Sequence, residues 1–211
     1  MQERRTRVSS RTGDYEVPSL RRRTILLDAR LSGPHGDGLC RIHALSGYGL
    51  TAQTVTLLGR HDWVRIGLHD GLTVAGQVQW AADDHIGVTF AAPIDDRSPL
   101  LARAVSYDGG VQRMPPPAPR FATRSPVALW QGDTTHAATM LDVSERGARL
   151  AITTHLRAGR PLHVSIPGLH LLLSATLRWT SASAAGIAFD TPLPFDTLAP
   201  WLDTPSLRFA D

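Results

Sequence analysis

Lysine is absent from this chain of 211 residues, so arginine carries all 22 of its basic charges. This absence excludes a phosphate-binding loop of the Walker type, which needs a lysine to contact the phosphates. Arginine presents a planar fork of donors that pairs with phosphate or with the O6/N7 edge of guanine. GC-rich coding would produce the same bias, so the positions of the arginines are more informative than their number.

Cysteine and long apolar segments are scarce as well. The single cysteine, Cys40, excludes an internal disulfide and is expected to be a small core residue. No segment approaches the roughly 20 apolar residues that span a bilayer, and no apolar run follows the arginine-rich N-terminus as in a signal peptide. We therefore expect a cytoplasmic protein without a membrane span.

Sequence motifs of the common enzyme classes are missing too. The nine histidines have neither H-x-x-x-H nor H-E-x-x-H spacing, and the chain contains no G-x-S-x-G and no G-x-G-x-x-G motif. We expect no metal site, no cofactor, no catalytic residues and no enzymatic activity. With 42% hydrophobic residues, 18 glycines and 15 prolines, the composition instead predicts a globular, turn-rich protein.

Positive charge is concentrated at the N-terminus, where the first 23 residues hold seven arginines against three acidic residues, a net charge of +4. We interpret residues 1–20 as a basic, flexible arm. Such an arm also suits a nucleic-acid binder. However, acidic residues offset the arginines in the rest of the chain, and basic and aromatic residues do not alternate as in single-strand binders. Nucleic acid is therefore not the expected partner.

An internal repeat organises the chain. Three landmarks recur after 99 residues, namely Trp80 as Trp179, Gly87 as Gly186 and Phe90 as Phe189, and the pair Ser46 and Gly49 recurs after 98 residues as Ser144 and Gly147. This register predicts two copies of a domain of about 100 residues. Because Trp80 and Trp179 occupy equivalent strand positions, we expect them, like the other tryptophans, in the core or under a helix.

Each copy has the pattern of an all-β domain. In the second copy the β-rich runs are 127–130, 137–143, 148–152, 161–166, 171–179 and 186–189, and their spacing predicts a small antiparallel barrel or sandwich. A short helix is expected over Leu193 to Leu202, and another from Ser98 to Val105 in the first copy. The predicted domains are residues 21–105 and 120–211, joined by a Gly/Pro-rich linker over 106–119.

Two motifs lie 18 residues apart in the second copy. Arg120-Phe-Ala-Thr-Arg124 precedes its first predicted strand, and Asp142-Val-Ser144-Glu-Arg-Gly147 ends the second strand and turns into the third. In this order the pair resembles the signature of the PilZ domain family. The resemblance implies two tandem six-stranded antiparallel barrels, each followed by a short helix, and a second barrel that binds the bacterial second messenger cyclic di-GMP.

The resemblance also implies roles for the motif residues. Arg120 and Arg124 would hold guanine edges and phosphates from a flexible loop, Asp142 and Ser144 would add polar contacts, and Gly147 would allow the tight turn. These chemistries suit a dianionic ligand with two guanines. Arg146 lies inside the motif and is an additional candidate. The alternative is that the second motif only forms a turn and that the arginines are surface residues.

In the first copy, Leu26 and Ala44 occupy the positions of Arg124 and Asp142, and only Arg22 or Arg23 remains as a first arginine. We therefore expect weak nucleotide binding there or none, unless the arginines at 21–23 bind it from another register. The expected function is that of a cyclic di-GMP receptor or adaptor. It would change the arrangement of its domains and signal to an unidentified protein target in control of motility, pili or exopolysaccharide. A PilZ-like module that contacts proteins without binding nucleotide is the alternative.

Overall fold

The structure of the chain is a computed structural model that describes residues 23–68, 72–94 and 118–209. The predicted basic arm, the predicted helix after the first copy and most of the predicted linker lie outside these residues. The domain boundaries inferred from the sequence therefore stay predictions. The description that follows concerns the strands and helices within the three ranges.

The first copy forms a closed antiparallel barrel of six strands. They are β1 (Arg23–Gly33), β2 (Gly36–Leu45), β3 (Gly49–Thr54), β4 (Trp63–Gly67), β5 (Thr73–Ala82) and β6 (His85–Phe90). Neighbours around the barrel follow the order β1-β2-β3-β6-β5-β4. Alternating residues along the strands point inward and form a continuous apolar core.

The second copy repeats this plan. Its strands are β7 (Phe121–Gln131), β8 (Thr134–Ser144), β9 (Gly147–Ile152), β10 (Leu162–Ser165), β11 (Leu172–Thr180) and β12 (Ala184–Phe189). The order β7-β8-β9-β12-β11-β10 is that of the first barrel with each strand replaced by its counterpart. The prediction of two six-stranded barrels is confirmed, and closure rules out the sandwich because neither sheet has a free edge.

Two helices follow the second barrel, α1 (Phe195–Leu202) and α2 (Pro205–Arg208). The inward face of α1 includes Phe195, Leu198 and Trp201, which are buried in the core of the second barrel. The helix expected after this barrel is confirmed, although it begins at Phe195, two residues after the buried Leu193. With eight and four residues, neither described helix is long enough to cross a bilayer.

The barrels contact each other through β2 of the first. Leu39 on β2 is buried and belongs to the hydrophobic cluster of the second barrel, whereas its neighbour Cys40 points into the first barrel. Burial confirms the expectation for Cys40 and raises the pKa of its thiol to about 12. Adjacent residues of one strand therefore serve two different cores, because their side chains point to opposite faces.

The expectation that the tryptophans lie in the core is wrong for three of them. Trp63, Trp80 and Trp179 are 61%, 41% and 48% exposed on the outer barrel faces, whereas Trp201 is buried as expected. The indoles of Trp80 and Trp179 each cover a glycine on the adjacent strand, Gly87 and Gly186 respectively. Because the glycine has no side chain, the ring has room to lie on the outer face of the sheet. Trp80 and Trp179 therefore occupy equivalent positions because both pack on the barrel surface, not because both lie in a core.

Candidate functional site

A cavity of about 380 Å³ lies on the outer face of the second barrel, over β8, β9, β11 and β12. Its charged lining consists of one carboxylate and four guanidinium groups, which give it a net charge of +3. The lining residues are Arg120, Asp142, Arg146, Ala148, Arg149, Arg178, Trp179, Gly186, Ile187 and Ala188. This cavity is suited to an anionic ligand with flat, polar-edged rings.

Asp142 near the end of β8 lies between two of these guanidinium groups. Its Oδ1 atom accepts a hydrogen bond of 2.6 Å from Nη1 of Arg120, and its Oδ2 atom lies 2.9 Å from Nε of Arg149. Arg149 is the β9 residue directly opposite Asp142 in the strand register. Both oxygens of the carboxylate are thus engaged, and Asp142 fixes the directions of two arginines at the edge of the cavity.

Ser144 stabilises the turn that follows Asp142. The buried Ser144 hydroxyl donates to the backbone oxygen of Gly147 at 3.2 Å and accepts from the backbone N–H of Arg146 at 3.4 Å. Arg146 itself is exposed and lines the cavity. The serine therefore shapes the turn that presents Arg146 and does not line the cavity itself.

Gly147 serves a different purpose from the one expected. It is not among the glycines with positive φ in the described residues, so the turn does not need its backbone freedom. A Cβ atom at this position would instead collide with the backbone oxygen of Ile187 on the adjacent strand β12. Glycine is required here for the close approach of two strands under the cavity.

A β-bulge presents two lining residues that the motif does not contain. The register of β11 against β12 shifts between Leu177 and Trp179, so Arg178 is the extra residue of the bulge. Consecutive residues of a regular strand face opposite sides, but a bulge changes the direction of one of them. Arg178 and Trp179 consequently both line the cavity.

One protein-family model covers the segment that forms this cavity. The model of the family described as "PilZ domain" matches residues 117–199. This segment is a PilZ domain. It contains all six strands of the second barrel and every lining residue of the cavity. No curated protein matches the chain in sequence.

Several solved structures are similar to the chain at low identity. The PlzA protein of Borreliella burgdorferi, solved in complex with c-di-GMP, is 12% identical, with 85% of this chain and 88% of that chain covered and a TM-score of 0.35. YcgR of Escherichia coli, also in complex with c-di-GMP, is 13% identical, with coverages of 77% and 75% and a TM-score of 0.30. The Bacillus subtilis inhibitor of motility, MotI/DgrA, is 12% identical, with coverages of 83% and 93% and a TM-score of 0.33.

The structure brings some of the predicted site residues together and separates others. Arg120, Asp142 and Arg146 line the cavity of the PilZ domain, whereas Arg124, Ser144 and Gly147 do not. Arg120 precedes the first strand as expected, but the expectation that Arg124 lies in a loop before that strand is wrong, because β7 already begins at Phe121 and includes Arg124. That start was missed because the inward positions that follow are small polar residues and Pro126 interrupts the β-rich pattern.

Arg149, Arg178 and Trp179 were missed as site residues. Arg149 and Arg178 belong to no motif, and only the strand register and the bulge bring them to Asp142 and the cavity. The internal repeat contained one usable signal, because Gln79 stands where Arg178 does in the second copy. A change of charge beside the repeated tryptophan was visible in the sequence without any structure.

Two arginines of the first barrel contact the backbone and side chains around the PilZ cavity. The guanidinium group of Arg30 donates to the backbone oxygen of Arg120 and lies 5.2 Å from the ring centroid of Phe121. Arg41 donates to Glu145 at 3.3 Å and lies 4.5 Å from the ring centroid of Phe195. Each of the two predicted motifs therefore has a contact with the first barrel, one at Arg120 and the other at Glu145.

Glu145 is buried between the barrels beside a second carboxyl group, that of Asp28. Asp28 accepts two hydrogen bonds from Arg41, at 2.7 and 3.0 Å, so both acidic residues share one guanidinium group. Burial raises the pKa of the Glu145 carboxyl to about 7, and the neighbouring Asp28 adds to the rise. The contact between the barrels thus contains an acid that titrates near neutral pH.

Proposed function

We propose that the PilZ domain binds cyclic di-GMP in this cavity and that the chain is a receptor, not an enzyme. The observation that carries the proposal is the cavity itself, which combines four guanidinium groups and one carboxylate within the matched domain. Cyclic di-GMP carries two phosphodiesters and two guanines. Guanidinium forks pair with the phosphates and with the O6/N7 edges, and a carboxylate accepts from the N1 and N2 donors of guanine.

Asp142 and Arg120 have to change partners for this to happen. Their ion pair of 2.6 Å holds both side chains at the edge of the cavity. Entry of the nucleotide lets Arg120 turn to a phosphate or guanine edge while Asp142 accepts from a guanine, so an internal ion pair is exchanged for two charged contacts with the ligand. Arg124 and Ser144 take part through the backbone, since Arg120 immediately precedes β7, which contains Arg124, and Arg146 lies in the turn that Ser144 stabilises.

Signalling follows from the attachments to the first barrel. Arg30 contacts the backbone oxygen of Arg120, and Arg41 contacts Glu145, which lies between Ser144 and Arg146. A shift of either motif segment on ligand binding changes these contacts and with them the arrangement of the two barrels. The new arrangement exposes or hides a surface for a protein target in control of motility, pili or exopolysaccharide.

Isothermal titration calorimetry of the full chain with cyclic di-GMP tests binding. Arg120→Ala and Asp142→Ala should each weaken binding about tenfold to a hundredfold, since a charge-assisted hydrogen bond contributes about 1.5 to 3 kcal/mol. The matched control is Arg160→Ala, an exposed arginine outside the cavity of the same barrel. Wild-type protein that releases no heat and shows no binding by equilibrium dialysis refutes the receptor.

A protein-binding module without nucleotide is the second candidate. It is favoured by the engagement of both Asp142 oxygens with arginines of the chain itself, which leaves this carboxylate satisfied without a ligand. The titration separates the two candidates, because only the receptor binds cyclic di-GMP. Small-angle X-ray scattering then tests the rearrangement, and identical profiles with and without saturating ligand exclude it.

A further inference from the structure

The first barrel shows which residues the fold itself needs around this cavity. It keeps the turn, in which the Ser46 hydroxyl donates to the backbone oxygen of Gly49 at 3.1 Å, as Ser144 does to Gly147. It also keeps the bulge and the tryptophan that covers a glycine, Trp80 over Gly87. These features occur in both barrels and are therefore part of the shared architecture.

Four of the five charged residues of the cavity have uncharged counterparts in the first copy, whereas Arg120 corresponds to Arg22 at the 98-residue offset. The strand registers place Ala44 opposite Thr51 in the first barrel and Asp142 opposite Arg149 in the second. The three other exchanges follow from the same repeat offsets, with Tyr48 for Arg146, Gln79 for Arg178 and Thr51 for Arg149. Every one of these positions is charged in the second barrel and uncharged in the first, so the barrel can form without the charges.

The four guanidinium groups fall into two pairs. Arg120 and Arg149 are engaged by the two oxygens of Asp142. Among the residues that the structure describes, neither Arg146 nor Arg178 forms an ion pair with a carboxylate within 4.0 Å. Both line the cavity, one from the turn before β9 and the other from the bulge of β11. Two of the three net positive charges of the cavity thus belong to this second pair.

We propose that Arg178, presented by the β11 bulge beside Trp179, binds a phosphodiester of the nucleotide, with Arg146 as the second donor. This inference rests on the proposed function of the same cavity and adds a ligand-binding residue outside the two motifs. A phosphodiester has two anionic oxygens, which the planar fork of arginine matches with two parallel hydrogen bonds. A lysine or glutamine side chain at the same position cannot form both.

The test is a titration of the full chain with cyclic di-GMP, comparing wild type with Arg178→Gln and Arg178→Lys. Glutamine is the residue of the first barrel at this position, so the barrel is expected to tolerate it, and thermal melting by circular dichroism checks that it does. Arg178→Gln should bind about tenfold to a hundredfold more weakly, and Arg178→Lys should lie between it and wild type. The control is Arg160→Gln, which removes an exposed arginine outside the cavity.

A second measurement identifies the group that Arg178 contacts. The ³¹P resonance of bound cyclic di-GMP should differ between wild type and Arg178→Gln at saturating protein, whereas Arg160→Gln should leave it unchanged. Wild-type binding with an Arg178→Gln affinity within twofold overturns this inference and leaves the proposed function in place. If wild type itself does not bind, the proposed function fails, and this inference fails with it.

Discussion

We predict that the contact between the barrels weakens as the pH rises towards 7, because the carboxyl group of Glu145 loses its proton in this range. The pKa of Glu145 is raised from 4.5 to about 7 by burial and by Asp28, so the folded protein holds a proton that the solvated carboxyl releases. The charged groups around it are Asp28 and Arg41 of the first barrel, Arg146 of its own turn and Asp196 of α1. Glu145→Gln replaces the acid with a neutral side chain of the same shape.

The direction follows from linkage. Because the pKa is higher in the folded state, the stabilisation from the proton is complete below about pH 4.5, declines between 4.5 and 7, and is absent above 7. At about 1.4 kcal/mol for each pH unit, the full difference corresponds to an upper limit of about 3 kcal/mol. The 13% exposure of the side chain reduces this, and we expect about 1 kcal/mol.

The assay is urea denaturation followed by tryptophan fluorescence at pH 4.5, 5.5, 6.5 and 7.5. The free energy of unfolding of wild type should fall relative to that of Glu145→Gln by about 1 kcal/mol across this range. All other ionisable groups are common to both proteins, so their contributions cancel in the difference. Asp133→Asn, an exposed acid in the turn between β7 and β8, is the control and should show no such trend. A difference between wild type and Glu145→Gln that stays constant with pH refutes the reasoning.

Three further predictions concern packing. Gly186→Ala should lower the free energy of unfolding by about 1 to 3 kcal/mol, since a Cβ atom there collides with the Trp179 indole; an unchanged urea midpoint would contradict it. Leu39→Ala should lower the free energy of unfolding by about 2 to 5 kcal/mol, because Leu39 packs in the core of the second barrel. The two barrels of the variant should then unfold in two separate calorimetric transitions, and a single unshifted transition would contradict this. Cys40, buried and with a pKa of about 12, should react with a disulfide reagent only as fast as the protein unfolds, and rapid stoichiometric labelling of the native chain would disprove its placement.

The two barrels separate architecture from binding within one chain. The Ser46 and Ser144 turns, with their glycines Gly49 and Gly147, have the same hydrogen bonds and the same close approach to the neighbouring strand. Half of the second motif therefore serves the fold, which explains why it occurs in a copy that lacks the acidic residue. The expectation that the first barrel binds the nucleotide weakly or not at all stays a prediction. It can be tested by titrating the single variant Asp142→Ala, which impairs the second barrel, with cyclic di-GMP.

Some of the site could be predicted because the relevant signals are local. The order and spacing of the motifs led to Arg120 and Asp142, which the structure joins in an ion pair. Arg124 was misplaced because whether it lies in a loop or a strand depends on pairing with β8 across the barrel. The exposed position of Trp179 was missed because its environment depends on a glycine of another strand.

The amino-acid sequence by itself determined that the chain is a duplicated all-β protein with a motif-bearing second copy. Hydrophobic alternation and turn residues act over a few neighbouring residues, and the repeat is visible from residue identities alone. Only the tertiary structure decided which arginines surround the cavity and how they are paired. Strand register and a single bulge brought Arg149 and Arg178 to Asp142 and the cavity, and the packing of two barrels brought Arg30 and Arg41 to the motif segments. The geometry of these contacts is settled by strand pairing and by the packing of the two barrels, which no local pattern encodes.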